Sequence, residues 1–396
     1  MRNVCISLII FTSSNSYCQT EQFIIPIDGA YLNDYFLVNY VDWSFAGYTD
    51  YLCGSKSYDG HQGTDFVIRN FSQMDSGVAV FAAKDGIVTY VIDTLFDRNK
   101  TAISGGLGNY ICIKHDNLFY TYYGHLKKNS ALVSAGDSVL AGEIIGLVGS
   151  SGYTSDPHLH FEVWYDSLIN WDPFSGTCGN PQTLWIDSLT YNESFGVIDH
   201  DCNNFIPTLD TLKERLPSQE IFSYPADTVI NFWMQGYGVL DNDISKVKWI
   251  APDGSTFHIY SYTHTEDWWY YYFWSYIPIT ESSPTGTWKI QYLVNDEVKI
   301  EESVEVIPAL GLQESFLPGY AINYLSDGNI MIQWKDVLPE STPIIIYDLS
   351  GKIVFKEGAP PLSTHFIIPI TIHSNALYFL KIGSNNVSKI FLHSSY

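Results

Sequence analysis

Two short histidine motifs in the first half of the chain have the residue types and spacing of a metal site. Three residues separate His61 from Asp65, and one separates His158 from His160. In an extended strand alternate side chains share a face, so the side chains within each motif can converge. Two histidines and one carboxylate leave a fourth position open, as at catalytic zinc sites, where zinc lowers the pKa of a bound water from 15.7 to roughly 7. Each motif alone is common by chance or as a structural pair; together they predict a hydrolytic zinc centre.

The sequence around these motifs predicts strands rather than helices. Between residues 20 and 200, glycines recur at short intervals and separate β-branched runs such as Gly86–Val91 and Tyr110–Lys114. Short runs of this kind between glycine turns are typical of antiparallel strands. We therefore expect the two histidine motifs to be held on a sheet.

Two further β regions follow. Within residues 205–308, Pro284–Tyr292 alternates large and polar residues as a half-buried strand does, and about 100 residues of this kind suit an immunoglobulin-like sandwich. Asp210–Leu216 predicts one helical turn. In residues 315–396, the turn in Ile346–Val354 predicts a hairpin within a small C-terminal β-sandwich. The expected fold class is all-β.

The ordered motifs resemble those of the lysostaphin/LytM-type zinc metalloendopeptidases. The resemblance covers roughly residues 20 to 180 and rests on these segments: His61-x-Gly63-x-Asp65, Tyr123-Gly124-His125-Leu126, the glycine pattern from Gly136 to Gly152, and Pro157-His158-Leu159-His160-Phe161. It implies a two-layer antiparallel peptidase domain with the metal in an open groove. It also implies that His61, Asp65 and His160 bind one Zn²⁺ per chain.

By the same resemblance, His125 and His158 are the catalytic pair. They would orient the attacking water, accept its proton and stabilise the tetrahedral oxyanion. Glu162 alternates onto the face of the histidines and is expected to have a supporting or structural role, while Tyr58 is a candidate donor to the oxyanion. The sequence departs from the family pattern at Ser155-Asp156 and in the insertion Asp97 to Gly106, which bears on substrate preference rather than on metal binding.

Composition excludes one class of partner. Lys and Arg number 20 against 43 Asp and Glu, a net charge of −23. Nucleic-acid binding needs clustered basic residues, so no nucleic-acid partner is expected. Aromatic residues make up 16% of the chain, a bias that suits strands.

The N-terminus predicts export. Arg2 precedes the apolar run Val4–Phe11 and a small polar stretch, which indicates a secretory signal peptide over residues 1–19. No other run is long and apolar enough for a transmembrane helix. Four cysteines remain beyond this segment: Cys53, Cys112, Cys178 and Cys202. They could form two disulfides, with three possible connectivities, or stay as buried thiols.

The C-terminal region resembles the sorting domain of type IX secretion. The resemblance rests on the hairpin Ile346–Val354 and the strand Leu377–Ile382, although the usual Tyr-Pro-Asn-Pro opening is missing near Phe316. It implies a secretion machinery as partner and passage through the periplasm to the cell surface or the medium. In the middle region, Glu266–Trp274 is either an aromatic platform for sugar rings or, more often for such runs, a two-sided strand.

These features predict a secreted zinc endopeptidase that cleaves the peptide cross-links of peptidoglycan. Residues 20–200 would be the peptidase domain, 205–308 a spacer or binder, and 315–396 the sorting domain. One alternative is a non-catalytic wall-binding protein or an activator of other wall hydrolases; another is a surface adhesin. The presence of all three ligands and both catalytic histidines favours the enzyme.

Overall fold

The computed structural model describes residues 22–192, 194–307, 320–324, 329–335, 338, 340–348, 352–368, 376–383 and 386–392. The chain divides into two compact units, Met1–Ile307 and Pro308–Tyr396. The predicted signal peptide and the segment near Phe316 lie outside the described residues. Among the described residues, no helix has the length and apolar character needed to cross a bilayer.

Ten strands and one short helix build the first part of the first unit. In chain order they are β1 (Tyr35–Leu37), β2 (Thr64–Ile68), α1 (Phe71–Ser76), β3 (Ala79–Phe81), β4 (Gly86–Ile92), β5 (Tyr110–Lys114), β6 (Phe119–Gly124), β7 (Ser138–Val139), β8 (Ile144–Leu147), β9 (His158–Tyr165) and β10 (Ile169–Asn170), with a 3₁₀ turn at Asp116–Leu118. One sheet has the order β1-β2-β9-β6-β5-β4-β7, with β10 beside β9, and β3 pairs with β8 in a second small sheet. The pairings are antiparallel, as the sequence predicts.

Strand β9 lies between β2 and β6 and has one face for the core and one for the site. Leu159 and Phe161 are fully buried in the core, and burying a side chain of this size stabilises the fold by about 1.5–3 kcal/mol. His160 alternates onto the other face, where the register pairs it with Asp65 on β2 and Gly124 on β6. A slip of one residue would move the apolar set to the wrong face. The hydrophobic alternation therefore also sets the position of the histidines.

Close contacts with β9 explain why the first motif contains a glycine, Gly63. A Cβ on Gly63 would lie 2.7 Å from His160 Nε2 and 2.7 Å from the Phe161 carbonyl oxygen. Any side chain at this position would push the His160 ring or the β9 backbone out of place. Gly63 therefore allows β2 to approach β9 closely enough to bring the two motifs together.

The cysteines behave in two ways. Cys53 and Cys178 form a disulfide across a sequence separation of 125 residues. Cys112 and Cys202 are buried free thiols. They cannot pair because Cys112 lies on β5 while Cys202 belongs to the core of the sandwich that follows. Of the two disulfides that the sequence allowed, one forms.

A β-sandwich makes up the rest of the first unit. Its elements are β11 (Gly196–Asn203), α2 (Leu209–Leu212), β12 (Ile221–Phe222), β13 (Val229–Tyr237), β14 (Ile244–Ile250), β15 (Thr256–Thr263), β16 (Tyr271–Pro278), β17 (Gly286–Val294) and β18 (Glu297–Val306). One sheet has the order β11-β13-β16 and the other β12-β18-β17-β14-β15. The pairing of β12 with β18 is parallel and the others are antiparallel. Trp249 and Trp288 are among the large side chains buried in its core.

The sandwich begins earlier than the sequence predicts. The expected end of the first domain at 200 cuts through β11, and the expected start of the sandwich at 205 lies after it. β11 pairs with β13 at seven residues between Gly196 and Asn203 and therefore belongs to the sandwich. The helical turn expected over Asp210–Leu216 is present as the shorter α2, whose first residues are capped by Thr208.

The sandwich also packs directly on the first part of the unit. Gln235 Nε2 donates to the Arg69 carbonyl oxygen at 2.7 Å, and the Tyr270 hydroxyl donates to the same oxygen at 3.0 Å. The Lys56 ammonium lies 4.3 Å from the centre of the Trp269 ring. The aromatic run Glu266–Trp274 is thus divided: its last four residues begin β16, and Trp269 and Tyr270 hold the two parts together.

The second unit is a smaller pair of sheets. Its strands are β19 (Tyr320–Tyr324), β20 (Ile330–Trp334), β21 (Thr342–Tyr347), β22 (Ile353–Ala359), β23 (His365–Ile368), β24 (Ala376–Ile382) and β25 (Asn386–Leu392). The sheet orders are β19-β20-β23 and β22-β21-β24-β25, around a core that includes Ile330, Ile344 and Leu380. The predicted hairpin is present as the antiparallel pair β21 and β22, with residues 349–351 of its turn outside the described residues. The described chain is therefore nearly all-β, with antiparallel pairing apart from the short pair β12–β18, and the predicted all-β class is confirmed.

Candidate metal centre

Three side chains from the two motifs meet at one point. His61 precedes β2, Asp65 lies on β2 and His160 lies opposite it on β9. His160 Nδ1 is 2.8 Å from Asp65 Oδ1. His61 Nε2 is 3.2 Å from His160 Nδ1 and 3.2 Å from Asp65 Oδ1. All three side chains are buried.

The donor set fits a zinc ion. Donor atoms about 2.0–2.1 Å from a tetrahedral zinc lie about 3.3 Å apart, close to the separations of these three atoms. Two imidazole nitrogens and one carboxylate oxygen are ligands that zinc uses, and with three protein ligands one position stays open for reactants. The chemistry of the three donors and their spacing therefore both suit a catalytic zinc.

Hydrogen bonds behind the histidines fix which nitrogen faces the centre. His61 Nδ1–H donates to the Tyr40 carbonyl oxygen at 2.7 Å, which leaves the Nε2 lone pair for a metal. His160 Nε2–H donates to Glu162 Oε1 at 3.0 Å, so its Nδ1 is the ligand atom. Glu162 Oε2 in turn accepts from Trp164 Nε1 at 2.6 Å. Such outer partners orient metal-binding histidines and raise their basicity.

The carboxylate is held ionised. Asn39 Nδ2 donates to Asp65 Oδ2 at 2.8 Å, which leaves Oδ1 directed at the histidines. Burial raises the pKa of Asp65, but the facing His61 and His158 outweigh it and hold that pKa well below its usual range. Asp65 is therefore an anionic ligand at neutral pH.

Two more histidines lie beside the three ligands. His125 follows β6 with a positive φ of 60°, a backbone conformation that is uncommon for non-glycine residues and often marks active sites. Its ring centre is 4.6 Å from that of His158. His125 Nδ1–H donates to the Ser151 carbonyl oxygen at 2.7 Å, and His158 Nδ1–H donates to the Asp156 carbonyl oxygen at 2.8 Å. Each ring therefore keeps Nε2 as its free lone pair, and His158 Nε2 is 3.4 Å from Asp65 Oδ1.

His125 is a neutral base. Burial, followed by the neighbouring His158 and His160, holds the pKa of His125 well below its ordinary value. Its unprotonated Nε2 can accept a proton at neutral pH. A group of His125, His158 and His160 could also hold an ion. We assign the metal to His61, Asp65 and His160 because this set contains the carboxylate.

Tyr58, Ser155 and Asp156 also line the groove at the site. The Tyr58 ring lies 4.4 Å from the His61 ring and its side chain is 45% exposed, so the hydroxyl borders the groove. Burial raises the pKa of Tyr58, which keeps the phenol protonated and able to donate. Ser155 and Asp156 are held by Lys213, whose Nζ donates to the Ser155 carbonyl oxygen at 2.7 Å and pairs with Asp156 Oδ2 at 3.1 Å.

The insertion Asp97 to Gly106 also packs beside the site. Asn99 Nδ2 donates to the Gly152 carbonyl oxygen at 2.8 Å, and Ala102 lines the groove. His115 bonds to the Asp85 carbonyl oxygen and to Thr121, each at 2.8 Å. His373 and His393 lie outside the described residues.

The sequence pattern does not predict the supporting roles of Asn39, Tyr40 and Ser151. Tyr40 and Ser151 act through backbone carbonyl oxygens, for which side-chain type gives no signal. Trp164 had a signal, since it continues the alternation of His160 and Glu162 by one more step.

Part of the chain is similar to known proteins. Residues 59–173 match Peptidase family M23. Peptidoglycan DD-endopeptidase ShyC of Vibrio cholerae is 34% identical over 124 residues, which are 31% of this chain and 22% of that protein. Glycyl-glycine endopeptidase ALE-1 of Staphylococcus capitis is 35% identical over 125 residues, 31% of this chain and 30% of that protein. The chain thus spans less than a third of these relatives.

Solved structures are also similar to part of the chain. The catalytic domain of the antimicrobial peptidase lysostaphin from Staphylococcus simulans is 30% identical, with 32% of this chain and 85% of that chain covered and a TM-score of 0.23. The residues that match Peptidase family M23, 59–173, carry all five side chains of the site.

Proposed function

We propose that this protein is a secreted zinc metalloendopeptidase that hydrolyses peptide bonds in the cross-links of peptidoglycan. The observation that carries the proposal is the convergence of His61 Nε2, Asp65 Oδ1 and His160 Nδ1 within 3.2 Å of one another. A structural ion pair of His160 with Asp65 would not need a second imidazole, that of His61, aimed at the same carboxylate oxygen.

The metal and the protein divide the chemistry. His61, Asp65 and His160 would hold the zinc ion, which when bound acidifies water and polarises the scissile carbonyl. His125 Nε2 is positioned to take the proton of the attacking water and return it to the leaving amine, because it is neutral and its Nδ1–H is fixed on Ser151. The Tyr58 hydroxyl borders the same space as a donor for the developing oxyanion, and His158 can donate there from Nε2 once that atom carries a proton.

Peptidoglycan is the proposed substrate because the relatives named above cleave its peptides or glycyl-glycine bonds, as their names state. Export rests on the N-terminal segment and on the resemblance of the C-terminal region to a sorting domain. The wall would be reached through the periplasm.

Digestion of purified peptidoglycan tests this function. Protein lacking residues 1–19 should release new amino groups and convert cross-linked muropeptides to shorter products, measured by mass spectrometry. His125→Ala and His158→Ala should retain zinc and lose about 10²–10⁴-fold in rate, because a positioned acid or base is removed.

His200→Ala is the matched control, because His200 pairs with Glu302 in the sandwich and not with the site. It should digest peptidoglycan as the unchanged protein does. A His125 or His158 variant with the full rate would remove that residue's role. An unchanged protein that binds the wall but releases no amino groups would identify a wall-binding protein or an activator.

A further inference from the structure

One cavity of about 1060 Å³ borders both the metal centre and the sandwich. At one end its walls include Asp65 and His158; at the other they include Tyr260 and Tyr262 of β15. Pockets for small ligands are roughly 300–1,000 Å³. This cavity is therefore larger than a peptide bond and its immediate flanks require, and its far end needs an explanation.

The far end exists because the two sheets of the sandwich have different widths. Strand β15 is the edge of the five-stranded sheet, and β16 is the edge of the three-stranded one. Tyr260 pairs with the fully buried Val247 and so lies on the inner, core-facing side of its sheet. Beyond β16 nothing in the described chain covers that side, and every residue of β15 is exposed. Inner-face aromatic residues that a sandwich normally buries are thus open to solvent.

Three exposed aromatic side chains line this end of the cavity. Tyr260 is 42% exposed, Tyr262 46% and Trp268 42%, and we call these three residues the aromatic trough. Exposed aromatic residues that share one concave surface indicate a binding site rather than scattered surface residues. Their flat rings offer apolar faces, and the tyrosine hydroxyls and the indole nitrogen offer hydrogen bonds at the edges.

The charges of the side chains that line the cavity restrict which kind of ligand fits it. Histidines aside, the charged side chains around the cavity are Asp65, Asp156 and Lys213. Asp65 belongs to the metal centre, and Lys213 pairs with Asp156 at 3.1 Å. The aromatic trough itself carries no formal charge. It therefore suits an uncharged, hydroxyl-rich ligand with flat apolar faces, which is the chemistry of a chain of sugar rings.

We propose that the aromatic trough binds the glycan strand of peptidoglycan next to the peptide that is cleaved. The proposal rests on the proposed function, since it assumes that a wall peptide lies at the metal end of the cavity. The peptide stems of peptidoglycan hang from its glycan, so both parts of one substrate would occupy one continuous cavity. The sandwich is fixed to the peptidase by the bonds of Gln235 and Tyr270 to Arg69, which keeps the trough at a constant distance from the metal centre.

The test separates glycan binding from peptide cleavage. The variant Tyr260→Ala/Tyr262→Ala removes two exposed rings, and Ile259→Ala is its control because Ile259 is 50% exposed on the opposite face of the same strand. Binding to glycan strands stripped of peptide is measured by calorimetry. The double variant should bind about 10- to 100-fold more weakly, since each aromatic contact has a modest worth. Ile259→Ala should bind unchanged.

Hydrolysis of a cross-linked peptide without glycan gives the second readout. The double variant should cleave this peptide at the unchanged rate and intact peptidoglycan more slowly. Equal glycan binding by the double variant, or no glycan binding by the unchanged protein, would overturn the proposal. A loss of rate on the glycan-free peptide would overturn it too and assign the trough to peptide. Glycan binding that depends on the tyrosines in a protein that cleaves no wall peptide would support the trough while contradicting the proposed function.

Discussion

His160 connects the candidate metal centre to a second carboxylate behind it. Its ring bridges two carboxylates, Asp65 at Nδ1 and Glu162 at Nε2. Burial lowers the pKa of His160, but hydrogen bonds to Asp65 and Glu162 outweigh burial and raise that pKa to about 10. The metal-free ring is therefore protonated at neutral pH. Zinc needs the Nδ1 lone pair, so its binding must release that proton.

The exchange Glu162→Gln tests this arrangement. Glutamine has one oxygen for His160 Nε2–H, but its amide nitrogen would then meet the Trp164 Nε1–H that Glu162 now accepts. We expect zinc affinity to fall about 10- to 100-fold, as for other outer partners of metal-binding histidines. Competition with a chelator measures it, and Glu301→Gln on the exposed face of β18 is the control. Unchanged affinity in the Glu162 variant would contradict a supporting role for this carboxylate.

Some residues of the site can be predicted from the sequence and others cannot. His61, Asp65, His158 and His160 are visible as motifs because a strand repeats every two residues. His125 follows the end of β6 with a positive φ, so no period reveals it and only the family resemblance indicates it. The carbonyl oxygens that orient the rings have no side-chain signal at all, because they depend on which loop folds over the sheet.

At the scale of elements, the loops around the site are tied at several points. Asp172 accepts from Trp43 Nε1 at 2.9 Å and from the Phe174 amide at 2.9 Å, and the Cys53–Cys178 disulfide joins the same two segments. Burial, aided by the charge of Asp50, raises the pKa of Asp172 to about 7. A carboxyl group that ionises so late in the folded protein makes stability depend on pH.

The direction of that dependence follows from linkage. Because the folded pKa lies above the unfolded value, the contribution of Asp172 is complete below about pH 4 and is lost as the pH rises to about 7. Between pH 5 and 8 the free energy of unfolding should fall by roughly 3 kcal/mol through this group. Urea unfolding of metal-free protein measures it. Asp172→Asn should lack this component, whereas the exposed Asp187→Asn should retain it; equal slopes in all three proteins would show that Asp172 ionises normally.

Local sequence pattern predicts individual strands but not the boundary between the two parts of the first unit. Alternation of large and polar residues predicts β17, and glycine spacing predicts the strands of the first sheet. The same reasoning divides β11 between two domains, because its partner β13 begins 26 residues later and pairing across that distance leaves no local trace. The role of Trp269 and Tyr270 in joining the two parts is likewise a tertiary property.

At the scale of the whole molecule, the two compact units have separate cores. The described core of the second unit is made of residues between Tyr320 and Ile382. The five site residues all lie in the first unit, between His61 and His160. The proposed chemistry therefore uses side chains of the first unit.

Truncation tests this division. A chain ending at Ile307 should fold, bind zinc and cleave peptidoglycan at the full rate, because it keeps the peptidase sheets and the sandwich packed on them. In the native host the same truncation should leave the protein in the periplasm if the C-terminal region is a sorting domain. Cell fractionation compares the two lengths. Loss of activity in vitro would mean that the second unit supports the site, and normal export would remove the sorting role.

We propose that His61, Asp65 and His160 hold the zinc on which peptide-bond cleavage depends. The most direct test is to remove metal from the purified protein and add zinc back while following cleavage of a cross-linked wall peptide. We predict no cleavage without metal, a rate that rises in proportion to zinc up to one equivalent per chain, and no recovery in Asp65→Ala. Full activity in the metal-free protein, or an Asp65→Ala variant that recovers as the unchanged protein does, would show that cleavage does not depend on a zinc held by these residues.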